Sequence, residues 1–169
     1  IVEAISVSSM SKSEKMVDSR FVNLKIVDNK DFIFFSNYES PKSKQFKSHD
    51  QVAINIFWNV TNVQVRMRAI IKKTTRDFNQ NYFSQRAPKK NALAISSEQS
   101  KKIDSYKNVE KKYMKSFKNQ DLTKCPEYWG GFVFRPYYFE FWEGHHARLN
   151  KRTVLELKNG DWEEYFLQP

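Results

Sequence analysis

Residues 128–152 read YWGGFVFRPYYFEFWEGHHARLNKR, an aromatic strand followed by two arginines four residues apart. Phe139, Phe141 and Trp142 offer apolar and stacking surface to a flat ring system, and Arg148 and Arg152 carry the guanidinium forks that grip a phosphate. The combination points to a flat, anionic ligand. Other segments carry groups of the same kind: Arg20 and Lys25 in SRFVNLK, Ser36, Ser40 and Lys42 in SNYESPKSKQF, and Gln64 in NVQVRMRA. Tyr82 and Arg86 are four apart on an expected helix, which turns a phenol and a guanidinium to one side. Each also has a plainer reading. Arg20 and Lys25, five apart on a strand, face opposite sides unless the strand bends between them. A strand glutamine beside Val63 and Val65 is common on surfaces, and the Tyr82/Arg86 spacing recurs in many surface helices.

The elements that must position these groups are mostly strands. Apolar and polar residues alternate with period two over 4–8, 21–27, 32–36, 52–58 and 63–72. A hairpin turn is expected at 28–31. Ser40-Pro41 opens a short helix to about residue 48, with Ser40 as N-cap and proline at the first helical position. Helices follow over 75–85 and 103–117, with a polar loop at 87–100 between them. After Cys125-Pro126 come a long strand over 132–142 and two short ones, 152–157 and 162–166, around Asn159-Gly160. The pattern predicts a mainly β, α+β protein: one domain over 1–169, built as a small antiparallel barrel with added helices.

The chain has 169 residues, 40% hydrophobic and 15% aromatic, enough for one domain with a core. No apolar run reaches the roughly 20 residues that span a bilayer, so no membrane partner is expected. Cys125 is the only cysteine, which excludes an intrachain disulfide and fits a reducing, cytoplasmic setting. His49, His145 and His146 do not make a metal site, since neighbours 145 and 146 point apart if the segment is extended. Four glycines, at 130, 131, 144 and 160, leave no GxGxxG and no P-loop. A net charge of +10 favours anionic partners, and any phosphate must be held by arginines, lysines, hydroxyls and helix N-termini.

Taken in order, RxVxLK, the 36–46 segment, QVR, YFxxR, WGG and EFWxGxxxRLxxR resemble the pyridoxine (pyridoxamine) 5′-phosphate oxidases. The resemblance implies an antiparallel FMN-binding split β-barrel, working as a homodimer with FMN at the interface. Pyridoxine 5′-phosphate or pyridoxamine 5′-phosphate would be oxidised to pyridoxal 5′-phosphate, with O2 as acceptor and H2O2 as product. It implies FMN contacts at Arg20, Phe21, Val22, Lys25, Phe35, Ser36 and Lys42, and further along at Gln64, Gln99, Ser100, Trp142 and Arg152. Substrate contacts are implied at Lys25, Tyr82, Arg86 and Lys90, with Arg148 and Asn150 binding substrate and acting in catalysis.

Departures from the family pattern fall at Pro41, for an arginine; at Val63, for the arginine before the glutamine; at Lys90, for a serine; at Asn150, for a histidine; and at Lys151, for an aspartate. Asparagine hydrogen-bonds but does not titrate near neutrality. These departures keep two alternatives open: a split-barrel oxidase of another planar acid, as in phenazine biosynthesis, and a flavin or pyridoxal-phosphate binding protein without turnover. A basic nucleic-acid-binding barrel would account for charge and aromatics but not for the motif spacing, so no nucleic-acid partner is expected.

Overall fold

The computed structural model describes residues 3–169. Its strands are β1 (Glu3–Ser11), β2 (Met16–Asp28), β3 (Asp31–Asn37), β4 (Gln51–Trp58), β5 (Val63–Lys73), β6 (Trp129–Glu143), β7 (Lys151–Lys158) and β8 (Asp161–Leu167). The helices are α1 (Pro41–Ser48), α2 (Arg76–Ser84), α3 (Pro88–Ser96) and α4 (Tyr106–Asn119). No helix among the described residues is long and apolar enough to cross a membrane.

Period-two patterning sets the sheet. In β4, Val52, Ile54 and Ile56 are buried between exposed neighbours; in β5, Met67, Ala69 and Ile71 are, and Val65 is buried between half-buried Gln64 and exposed Arg66. The antiparallel register puts Ile54 opposite Met67 and Ile56 opposite Val65, so both apolar rows share one face. The strand order is β3-β2-β1-β4-β5-β6-β7-β8, and β3 also pairs with β6. Six strands therefore close into a split barrel of α+β type, which β7 and β8 extend. Tight turns carry the left-handed residues that hairpins need: Asn29 (φ 49°) joins β2 to β3, and Asn159 (φ 53°) with Gly160 (φ 99°) joins β7 to β8.

Cα packing groups the described residues into two compact units. The first holds the residues up to Phe34 with Gln45–Lys72 and Val133–Pro169; its core includes Ile5, Val7, Ile54, Phe134 and Val154. The second holds Phe35–Lys44 and Lys73–Phe132, centred on Phe83, Cys125 and Trp129.

Three local expectations change. Residues 88–96, expected as loop, form α3: Pro88 supplies the first helical position, and buried Asn91 donates to the carbonyls of Phe83 and Leu122, both at 2.8 Å. Tertiary hydrogen bonds thus stabilise a helix that lacks a side-chain cap. β1 and β2 run beyond 4–8 and 21–27 because their serines pair across the ladder, with Ser6 and Ser19 hydroxyls 2.9 Å apart. Ser40 precedes α1 as expected, but its hydroxyl donates to the Asn37 carbonyl (2.7 Å) and accepts from the Lys42 side-chain Nζ (3.4 Å).

Candidate functional site

The sequence-predicted residues fall into two groups, one in each unit. In the second unit, β3 delivers Phe35 and Ser36, and α2 delivers Tyr82. Phe35 stacks on Tyr82 (centroids 3.8 Å, 10°) and on Trp129 (5.1 Å, 8°). The Arg86 guanidinium lies 4.4 Å from the Trp129 ring centroid. A hollow of about 230 Å³ opens here, lined by Phe35, Ser36, Arg86, Lys90, Gln99 and Trp129 among others.

Arg86 Nη1 is buried with no hydrogen-bond partner among the described residues. Burial lowers the Arg86 pKa from its ordinary value, while charge on the Tyr82 phenol opposes the shift. Tyr82 does not line the hollow. Burial raises its pKa, and Arg86 works against the rise. The two were expected on one helical face, but α2 stops at Ser84 and the Arg86 N–H donates to the Phe83 carbonyl in the following turn (3.1 Å). Pro88 disfavours helical backbone at Ala87, whose ψ is 130°, so the run cannot continue into α3.

In the wall of the hollow, Ser36 Oγ and the Asn37 N–H both donate to Gln99 Oε1 (3.1 and 3.2 Å). Lys42 Nζ donates to Ser36 Oγ (3.2 Å) and Ser40 Oγ (3.4 Å) at the start of α1. Ser100 holds a left-handed backbone (φ 70°) and lines a different, smaller hollow with Lys101 and Lys112.

WGG has a local explanation here. A Cβ at Gly130 would overlap the Tyr38 hydroxyl and the Asn79 amide, which are hydrogen-bonded to one another at 2.9 Å. Asn79 Oδ1 in turn accepts from Thr74 Oγ1 (2.6 Å) and the Gly131 N–H (2.8 Å). The glycines let this network reach the start of β6.

In the first unit the β2–β3 register steps from Leu24 to Ile26, a bulge at Lys25. The bulge lets consecutive residues Leu24 and Lys25 both line one cavity of about 520 Å³, with Trp58, Met67, Phe139 and Phe141 among its walls. The strand therefore bends between Arg20 and Lys25, one of the conditions under which the two need not face opposite sides. Among the described residues, Lys25 is the one charged side chain lining that cavity. Arg20 is tied down elsewhere: its guanidinium donates to Ser9 Oγ (2.6 Å), Gln45 Oε1 (2.9 Å) and the Val7 carbonyl (3.3 Å). Burial lowers its pKa, and Asp18 partly offsets this. Phe21 is exposed on β2 and Val22 half-buried.

Gln64 on β5 faces Phe57 of β4, and Trp142 on β6 faces Arg152 of β7. Arg148 is exposed with φ 61°, in the turn between β6 and β7, where its N–H donates to the His145 carbonyl (2.9 Å). Asn150 Oδ1 accepts the His145 N–H (3.0 Å), so part of its hydrogen-bonding capacity goes to closing this turn. The segment is not extended, and the His145 and His146 rings therefore lie side by side, 4.2 Å apart.

One residue escaped the sequence reading. Glu140 is 2% exposed, and its carboxylate accepts from Arg152 Nε (2.8 Å), Arg66 Nη1 (3.1 Å) and the Tyr138 hydroxyl (3.1 Å). Burial would raise its pKa, but the Arg152 and Tyr138 hydrogen bonds and the Arg66 charge outweigh it and hold the carboxyl below its usual range. A glutamate between Phe139 and Phe141 was the available signal, because a carboxylate in an apolar strand needs cationic partners.

Residues 129–169 match the family model described as the pyridoxine 5′-phosphate oxidase C-terminal dimerisation region. The chain is 35% identical to the pyridoxine/pyridoxamine 5′-phosphate oxidase of Colwellia psychrerythraea, over 99% of this chain and 77% of that protein. It is 37% identical to pyridoxine/pyridoxamine 5′-phosphate oxidase 1 of Hydrogenovibrio crunogenus, over 88% and 69%. In fold it is similar to PhzG from Burkholderia lata 383 in complex with tetrahydrophenazine-1-carboxylic acid (TM-score 0.92, 20% identity, 99% of this chain and 82% of that one). A pyridoxamine 5′-phosphate oxidase-related, FMN-binding protein from Nostoc punctiforme is similar as well (TM-score 0.80, 10% identity, 99% and 87%). With identity above 30% sustained along its whole length, this chain belongs to the pyridoxine/pyridoxamine 5′-phosphate oxidase family.

Proposed function

We propose that the protein is an FMN-dependent oxidase that converts pyridoxine 5′-phosphate or pyridoxamine 5′-phosphate to pyridoxal 5′-phosphate, reducing O2 to H2O2. The observation that carries this reading is Arg86, half-buried, with Nη1 buried and unpartnered among the described residues, lining a hollow with Lys90, Ser36 and Gln99. A buried unmatched donor is costly unless a ligand completes it, and an anion is the ligand a guanidinium selects.

Lys25, Tyr82, Arg86 and Lys90 are proposed to hold the substrate phosphate. Ser36, Lys42, Gln99 and Ser100, together with Phe35, would bind FMN, and Arg20, Phe21, Val22, Lys25, Gln64, Trp142 and Arg152 would bind it too. The donor set fits an anionic, planar cofactor: lysine and hydroxyls at the start of α1, and aromatic surface beside arginine on β6 and β7. When bound, FMN supplies the redox chemistry, taking two electrons from the substrate and returning them to oxygen. The chain's own task is to position. Arg148, exposed on its turn, would cover the substrate ring, and the amide nitrogen of Asn150 remains to orient it while Oδ1 holds the turn. The C-terminal match supports a homodimer, and FMN is proposed to lie between its chains.

A second reading, oxidation of another planar acid, draws on two departures: Asn150 is engaged with the His145 backbone, and Lys151 pairs with Glu143 at 3.0 Å. The test is oxygen-dependent formation of pyridoxal 5′-phosphate from pyridoxamine 5′-phosphate by FMN-reconstituted protein, beside an Asn150→His variant. Turnover by the parent chain is expected. FMN binding without turnover in either protein would refute the proposal and favour the other acid or a binding role.

A further inference from the structure

Gln64 and Arg66 lie on one face of β5, and Glu140 and Trp142 on one face of β6, because residues two apart on a strand point the same way. Trp142 faces Arg152 across the β6–β7 ladder, and Arg66 reaches Glu140 at 3.1 Å. Three residues proposed to touch the cofactor, Gln64, Trp142 and Arg152, are thus neighbours of one buried carboxylate.

Both Nε and Nη2 of Arg152 lie 2.8 Å from Glu140 Oε1, and Nη1 donates to the Gln168 carbonyl at 2.9 Å. Of the five N–H donors on that guanidinium, these contacts leave one on each Nη. The other carboxylate oxygen takes Arg66 and the Tyr138 hydroxyl. One negative charge therefore serves two guanidinium groups, and the cluster keeps a net positive charge. We infer that Glu140 is a positioning residue for the cofactor, fixing Arg152 and Arg66 so that their remaining N–H groups meet the anionic flavin beside Gln64 and Trp142. The inference rests on the FMN reading above and concerns binding, not the reacting atoms. Lysine at 152 would keep the charge but lose the planar fork that Glu140 orients.

The test compares FMN dissociation constants, from quenching of flavin fluorescence, and melting temperatures for the parent, Glu140→Gln, Arg152→Lys and the double variant. Val154→Ala, a core change on β7 with no role in the site, is the control for stability loss alone. Glu140→Gln is expected to weaken FMN about tenfold, the lower end for partners that orient a binding group. The double variant should bind no more weakly than the weaker single one, since both act through the same guanidinium. Val154→Ala should lower the melting temperature and leave FMN affinity unchanged. If Glu140→Gln does not fold, Glu140→Asp, with its charge drawn back by one methylene, is expected to weaken FMN in the same direction. Parent-like affinity in the position-140 variant, additive losses in the double variant, or an equal loss in Val154→Ala would each overturn the inference alone. A parent chain that does not bind FMN would overturn the FMN reading and this inference with it.

Discussion

Replacing Arg86 by methionine separates what the site does for binding from what it does for folding. The substitution keeps an unbranched, apolar stem over Trp129 and removes the guanidinium whose Nη1 is buried without a partner. Leaving a buried donor unmatched costs about 1–3 kcal/mol, so its removal returns that much to the ligand-free protein. Against this stands the cation–π contact with Trp129 at 4.4 Å, about 0.5–2 kcal/mol depending on desolvation. The two nearly cancel: Arg86→Met is expected to lie between about 1 kcal/mol less stable and about 2.5 kcal/mol more stable than the parent. Anion binding should move the other way. Loss of a charge-assisted contact worth roughly 1.5–3 kcal/mol weakens phosphate or substrate by about ten- to a hundredfold. Urea unfolding in a phosphate-free buffer, paired with calorimetric titration of pyridoxal 5′-phosphate, reads both quantities. A variant destabilised by more than about 2 kcal/mol that still binds the ligand normally would refute the reasoning, because Arg86 would then be a packing residue.

Gly130→Ala should destabilise the protein by about 2–3 kcal/mol in urea, since the new methyl must displace the Tyr38 hydroxyl or the Asn79 amide; a loss below about 0.5 kcal/mol would show that this network yields freely. Glu140 gives a pH signature. Its native pKa lies below the ordinary value of 4.5, so the unfolded state binds the proton more readily; the stabilisation is present above that value and is lost as pH falls through the native one. Parent stability should therefore fall more steeply with acid than that of Glu140→Gln, and parallel curves in urea titrations from about pH 6 to 3 would contradict this. Cys125 is 1% exposed, and burial raises its thiol pKa, with Arg76 opposing. Iodoacetamide at neutral pH should label it only as fast as the protein unfolds, and labelling at the rate of a free thiol would be inconsistent with its place beside Phe83 and Trp129.

What the sequence disclosed follows from which forces are local. The β4 and β5 rows were readable because each strand buries alternate residues on its own account, and the turns at Asn29 and Asn159 were readable because φ > 0 narrows the choice of side chain. Helix α3 was not, because its support comes from Asn91 reaching the carbonyls of Phe83 and Leu122, contacts that no window of sequence contains. The same distinction runs through the site. Spacing pointed to a bend between Arg20 and Lys25 as one solution, and the Leu24–Ile26 bulge supplies it. Spacing also suggested a shared helical face for Tyr82 and Arg86, and there Pro88 prevailed. The engagement of Arg20 with Ser9 and Gln45, and of Arg152 with Glu140, depends on register and could not be read from motif positions.

The strand order also sets a timetable. β1–β2, β2–β3, β4–β5 and β7–β8 are hairpins between chain neighbours, which form on the microsecond scale once their residues exist. β6 is different: it pairs with β5 only after α2, α3 and α4 have intervened, and with β3 from farther still. With the β1–β4 pairing, which also joins strands far apart in the chain, those contacts carry most of the loop-closure entropy of the fold. During synthesis β5 therefore keeps its β6-facing edge unpaired until β6 leaves the ribosome, and an unpaired strand edge is the feature that invites association with other chains.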